Sequence, residues 1–155
     1  PEGGNMTGGV TRRLTVPATL GHLEALTSMV TGLLREHGFP EKTIFEMDLA
    51  VDEACTNIIR YAYTPGEGEV TVECTVTPTS ATVCIIDSGH PFDPLAVEPP
   101  DLSGGVEDRP IGGLGVHLIR NLMDTVTYEY SGGKNILCMT RFRKPGEPAS
   151  ESDHL

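Results

Sequence analysis

Two pairs of short segments with alternating apolar and polar residues, each pair split by a few turn-forming residues, constrain this chain more than anything else in it. The first pair covers residues 69–76 and 81–87 around Thr77-Pro78-Thr79-Ser80, and the second covers 125–130 and 135–142 around Ser131-Gly132-Gly133. A two-residue period marks a half-buried strand, and so short a link only lets the next strand return antiparallel. Both pairs therefore read as hairpins. Residues 10–16 alternate as well and end at Pro17, as an edge strand does.

Between these strands the period changes. From Ala18 to His37 the apolar residues Leu20, Leu23, Leu26, Val30, Leu33 and Leu34 recur at three- and four-residue spacing, with Gly38 placed to cap the C-terminus. Pro40 opens a second helix whose apolar face uses Phe45, Met47, Val51, Ala54, Cys55, Ile58, Ile59 and Ala62, stopping before Thr64-Pro65-Gly66. Residues 114–123 form a third helical pattern, after a Pro-, Gly- and Asp-rich stretch over 88–112 whose length suits a functional lid or a disordered loop. The order predicts a two-layer α/β (α+β) sandwich in which a mixed, mostly antiparallel sheet carries three helices on one face. A doubly wound parallel sheet would need helices between strands where the hairpins stand.

With 155 residues, 38% of them apolar, the chain suits one domain with one core, placed at 10–143. The polar ends, 1–9 and 144–155, read as flexible. The first residue is Pro1, so the start reads as a processed end, with Met6 as the native start or the whole as part of a longer protein. A net charge of −11 and a pI near 4.7 argue against nucleic acid and anionic membrane and suit a partner with basic residues. No apolar stretch approaches the ~20 residues needed to span a bilayer, and no signal pattern opens the chain, so it reads as cytoplasmic. Cys55, Cys74, Cys84 and Cys138 stand singly in apolar patterns and read as small buried side chains, neither a disulfide nor a zinc site.

Three short runs carry chemistry. Glu53 and Asn57, four apart on the second helix, share a face, where a carboxylate beside an amide oxygen can accept a proton and help to hold a hard cation. By chance such a pair arises in roughly one chain of this length in three. Asp87-Ser88-Gly89 leaves the most apolar strand, where an aspartate can accept from an exocyclic amine and glycine lets a flat ring approach; the same residues also make an ordinary turn. Ile111-Gly112-Gly113-Leu114-Gly115-Val116 precedes the third helix, where free N–H groups suit a phosphate, although it matches neither established phosphate-loop spacing and also reads as a plain loop. His117 follows, as a solvated helix-start residue.

In order and context, Glu53-x-x-x-Asn57, Asp87-x-Gly89 and Gly113-x-Gly115 resemble the N, G1 and G2 boxes of the GHKL ATPases. Glu53-Ala-Cys-Thr-Asn57, Asp87-Ser-Gly-His-Pro-Phe-Asp-Pro94 and Gly112-Gly-Leu-Gly-Val-His-Leu-Ile-Arg120 are similar to the anti-sigma-factor serine kinases among them, over roughly Thr11 to Arg143. The resemblance implies ATP and Mg²⁺ as cofactors. Asn57 would ligate the metal, Glu53 would be the general base, and Asp87 and Gly89 would receive adenine. Gly113, Leu114, Gly115 and Val116 would surround the phosphates, Arg60 would reach them or a partner, and Asp52 would face solvent. Pro91 replaces the second G1 glycine of many relatives. Asn135 is the nearest candidate for the threonine that relatives place beside adenine on the closing hairpin. The implied function is a serine/threonine protein kinase that binds a sigma factor and phosphorylates a STAS-type antagonist, as a homodimer. Two other readings stay open: a non-catalytic ATP-binding interaction module, and an ATPase domain detached from a histidine kinase.

Overall fold

Five strands form: β1 Val10–Pro17, β2 Glu69–Val76, β3 Ser80–Asp87, β4 Thr125–Ser131 and β5 Lys134–Phe142. They make one sheet in the order β1-β2-β3-β5-β4, every neighbouring pair antiparallel. The computed structural model describes residues 9–61, 68–91, 93 and 119–143. The expected two-layer α/β architecture is therefore present, with the described sheet antiparallel throughout. Alternation sends Val70, Val72, Cys74 and Val76 of β2, and Ala81, Val83, Ile85 and Asp87 of β3, to the buried face.

Helices α1, Leu23–Glu36, and α2, Glu41–Tyr61, cover that face. Leu26, Val30, Leu33 and Leu34 of α1 and Met47, Ala50, Val51 and Cys55 of α2 are fully buried. Each such large aliphatic side chain contributes about 1.5–3 kcal/mol. Of the third helical pattern, 119–122 are described and helical, and Ile119 and Met123 enter the same core. No helix among the described residues is long and apolar enough to cross a membrane.

Local chemistry sets the element ends. Gly38 adopts φ 75°, with its N–H donating to the Arg35 carbonyl and the Phe39 N–H donating to the Leu34 carbonyl, both at 3.1 Å. This is the left-handed glycine cap the sequence predicts. Arg143 lies 3.8 Å over the Phe39 ring and donates to the carbonyls of His37 and Gly38 at 3.0 and 3.2 Å, tying the end of β5 to the same corner. The β4–β5 turn uses Gly132 (φ 62°) and Gly133 (φ 78°), the two positive angles that a tight hairpin turn needs.

Three expectations need correction. Phe45 and Leu20, assigned to apolar helix faces, are 64% and 50% exposed. The inward stripe of α2 runs through Ile44, Met47, Val51 and Ile58, and Phe45, one residue past Ile44, is turned about 100° away from it. Leu20 sits in a 3₁₀ turn, Leu20–His22, that precedes α1. Cys84 and Cys138 are not separate buried thiols: they are disulfide-bonded. They are exact partners across β3 and β5 and point to the sheet face away from the helices. Cys55 and Cys74 are buried and free, as expected; burial pushes the Cys74 thiol up to about 12 and raises Cys55 as well.

That outer face is lined by hydroxyl pairs, Thr11 with Thr75, Thr15 with Thr71 and Thr82 with Thr140, at 2.7–3.0 Å. On the inner face, Arg141 of β5, 13% exposed, forms an ion pair with Glu46 of α2 and donates to the Leu122 carbonyl at 3.2 Å. One guanidinium thereby fastens the sheet to α2 and to the end of the 119–122 turn.

Candidate functional site

The polar groups that the apolar core leaves standing converge at one end of the two central strands. Only Thr43, Asn57, Asp87 and Asn135 are buried polar residues among those described, and three of these four face a common cavity. Asp87 ends β3, Asn135 lies directly opposite on β5, and Asn57 comes from α2 above them. Ala54, Ile58, Ile85, Ile119 and Leu137 wall the cavity, and Tyr128 of β4 completes it. The enclosed space is about 20 Å³, room for roughly one water, so the polar floor has space for no more than the edge of a larger molecule.

The floor is organised by hydrogen bonds. Asp87 Oδ1 accepts from the Gly89 N–H at 2.8 Å and from Asn135 Nδ2 at 3.0 Å. The Asn135 amide nitrogen also donates to the His90 carbonyl at 2.9 Å, and its oxygen accepts from the Tyr128 hydroxyl. Asp87 Oδ2 and Asn57 Nδ2 are buried without a partner. An unmet buried polar atom costs about 1–3 kcal/mol, so both can accept a bond from, or donate one to, a group that enters the cavity. Burial pushes the Asp87 carboxyl above its ordinary range, opposed by the bonds from Asn135 and Gly89 and by the Lys134 charge.

The structure thus brings together Asn57, Asp87, Gly89 and Asn135. Glu53, one turn before Asn57, is half-buried and is not among the described residues lining the cavity; neither is Arg60, which is exposed at the end of α2. Gly113, Leu114, Gly115 and Val116 lie outside the described residues, as does His117. Tyr128 is the functional candidate that sequence reasoning missed. Its signal was the β4 alternation, which puts it opposite Leu137 and diagonal to Asn135.

An acceptor beneath an apolar slot, with glycine beside it, fits the amine edge of adenine. Mg²⁺ fits as an ion held largely by phosphate, since one amide oxygen is what Asn57 can offer. Among the described residues no group of three or more His, Cys, Asp or Glu side chains could hold a metal. Asp52 is not simply solvated. It lines a second concavity of about 460 Å³ between the start of α1 and α2, with Phe45, Leu20 and the acidic Glu24 and Asp48. Burial and the neighbouring Asp52 raise the Asp48 carboxyl.

Residues 16–141 match the histidine kinase-like ATPase domain. Serine-protein kinase RsbW of Bacillus cereus (strain ATCC 10987 / NRS 248) is 31% identical over 133 residues, covering 83% of this chain and 82% of that protein. RsbW of Bacillus thuringiensis (strain Al Hakam) gives the same identity and coverage. Among solved structures, the RsbU and RsbW domains of a Mycobacterium tuberculosis protein share the fold, with a TM-score of 0.62 at 16% identity over 87% of this chain. This chain spans about a third (33%) of that longer one. The chain belongs to the histidine kinase-like ATPase domain family and, within it, to the anti-sigma-factor serine kinases of the RsbW kind.

Proposed function

We propose that this chain is an ATP- and Mg²⁺-dependent serine/threonine protein kinase that holds a sigma factor and phosphorylates a STAS-type antagonist, acting in the cytoplasm as a homodimer. The observation that carries the reading is the buried, unpartnered Asp87 Oδ2 beneath the apolar cavity, in a chain of this family. In this reading Asp87 accepts from the adenine amine while Ile85, Ile119 and Leu137 exclude water from the ring. Asn57 offers its side-chain oxygen to the metal, and bound Mg-ATP supplies the phosphoryl group with its charge neutralised. Glu53 takes the proton from the substrate hydroxyl, with Asn57 one turn away fixing the distance between proton acceptor and nucleotide. Gly113, Leu114, Gly115 and Val116 receive the phosphates, and Arg60 adds positive charge at the end of α2. The acidic concavity around Asp48 and Asp52, with Phe45 exposed in it, supports a basic protein partner docking beside the site.

Incubation with Mg-ATP and a STAS-type protein tests this: phosphoserine or phosphothreonine should appear on the partner, and Glu53→Ala should abolish transfer while ATP binding persists. A second reading, an ATP-binding interaction module without catalysis, is favoured by the position of Glu53 outside the cavity lining. It gains if ATP binds and no partner is ever modified.

A further inference from the structure

Arg141 gathers oxygens from two elements that wall the cavity. Its guanidinium forms an ion pair with Glu46 of α2 and donates to the Thr43 hydroxyl on the same helix at 3.5 Å. The same group donates to the Leu122 carbonyl at 3.2 Å and stands 3.6 Å from the Asp124 carboxylate. Leu122 and Asp124 flank Met123, whose N–H donates to the Ile119 carbonyl at 3.1 Å, so both sit on the short segment that supplies the Ile119 wall. Ala54 and Ile58 of α2 supply another wall. The segment has other attachments: Ile119 and Met123 are buried in the core, and the Asp124 N–H donates to the Thr140 carbonyl at 2.8 Å. These attachments bring no positive charge. Lys42 approaches Glu46 at 3.9 Å, but it belongs to α2 itself and bridges nothing. Arg141 is the cation around which two carboxylates and a helix-end carbonyl, drawn from different elements, share one partly buried volume.

We infer that Arg141 is a positioning residue for nucleotide binding: by neutralising the oxygens of Glu46, Leu122 and Asp124 it keeps α2 and residues 119–123 close enough for Ile119 to pack on the bound base. The inference rests on the nucleotide site proposed above. With the guanidinium gone, the Glu46 oxygens on one side and the Asp124 and Leu122 oxygens on the other repel across the gap between the two elements. The core attachments keep the domain folded while the segment settles farther from α2. The slot then widens at Ile119 and lets water in beside the ring. The hydrogen bonds described for the polar floor do not involve Arg141, so the loss falls on the apolar contact.

A double-mutant cycle on the intact chain tests this, read as Mg-ATP dissociation constants by calorimetry at a temperature where circular dichroism shows each variant folded. Arg141→Met should weaken ATP binding about tenfold, the size of one lost aliphatic contact. Ile119→Ala should weaken it to a similar degree, and Arg141→Met added to Ile119→Ala should weaken it little further. Arg141→Lys keeps a charge beside Glu46 but lacks the fork that reaches the other oxygens; it should weaken binding by a smaller factor, and it carries the cycle should Arg141→Met not fold. A merely structural role would lower the melting temperature and leave the dissociation constant of the folded variants unchanged, which overturns the inference and spares the nucleotide site. Losses at Arg141 and Ile119 that add in full overturn it as well. Failure of the wild type to bind Mg-ATP overturns both the inference and the site.

Discussion

Breaking the Cys84–Cys138 bond should destabilise the fold by an amount that can be worked from its place in the chain. The two cysteines are 54 residues apart. In the chain-entropy account, closing a loop of that length removes about 14 cal/mol/K from the unfolded chain, or about 4 kcal/mol at 25 °C. The native side should offset little of this, because both side chains are half-buried on the face away from the helices and their strands stay hydrogen-bonded in register. For a domain of this size about 4 kcal/mol corresponds to roughly 8–16 °C in melting temperature. Urea melts of the oxidised protein with and without dithiothreitol measure it. The reduced midpoint should fall and the urea slope rise, since the uncrosslinked denatured chain exposes more surface. Cys84→Ser/Cys138→Ser should match the reduced protein and ignore the reductant; Cys55 and Cys74 are buried and should not respond. Equal midpoints for oxidised and reduced wild type would refute the reasoning, and so would a double variant still sensitive to dithiothreitol.

Other outcomes follow from groups already described. Arg141→Met takes from partly buried Glu46 its main partner and should cost about 1–3 kcal/mol in a urea melt, whereas removing Arg12 from its exposed pair with Glu36 should stay within the scatter of the assay. The raised Asp87 carboxyl binds its proton more tightly folded than unfolded, so its contribution is most favourable below about pH 3.9 and declines as pH rises through the folded value. Urea melts of wild type and Asp87→Asn across pH 3.5 to 7 should show the wild type losing ground to the variant as pH rises; a difference flat with pH counts against the burial of that charge. Glu53→Ala should separate phosphoryl transfer from ATP binding.

Much of this was legible in the residues because the features concerned are local. The Gly38 cap, the Gly132-Gly133 turn and the alternation of β2 and β3 depend on backbone angles and a two-residue period, which neighbouring residues determine. Asn57, Asp87 and Asn135 were picked out separately, as a helix-face amide, a strand-end acid and a hairpin amide. That they meet at one cavity depends on β3 lying beside β5, a pairing that no turn specifies because residues 88–133 intervene. The same unspecified pairing hid the disulfide: Cys84 faces Cys138 only in the register that also sets Asp87 against Asn135. Tyr128 escaped notice for a related reason. An aromatic on a half-buried strand packs in any sheet, and its hydroxyl acquires a role only from the diagonal neighbour.

The strand order also bears on the route by which the protein folds. Residues 10–87 supply β1, α1, α2, β2 and β3, and the β4–β5 hairpin supplies the other two strands, so the two parts of the sheet meet along β3 and β5. That joining spans a long stretch of chain and is the slow kind of contact to make. Asp87 and Asn135 form the rung at one end of this seam, so the cavity floor comes into being only as the seam closes. A nucleotide that needs both residues has nothing to grip in either half alone. It should therefore slow unfolding of the finished domain and leave the folding rate nearly unchanged.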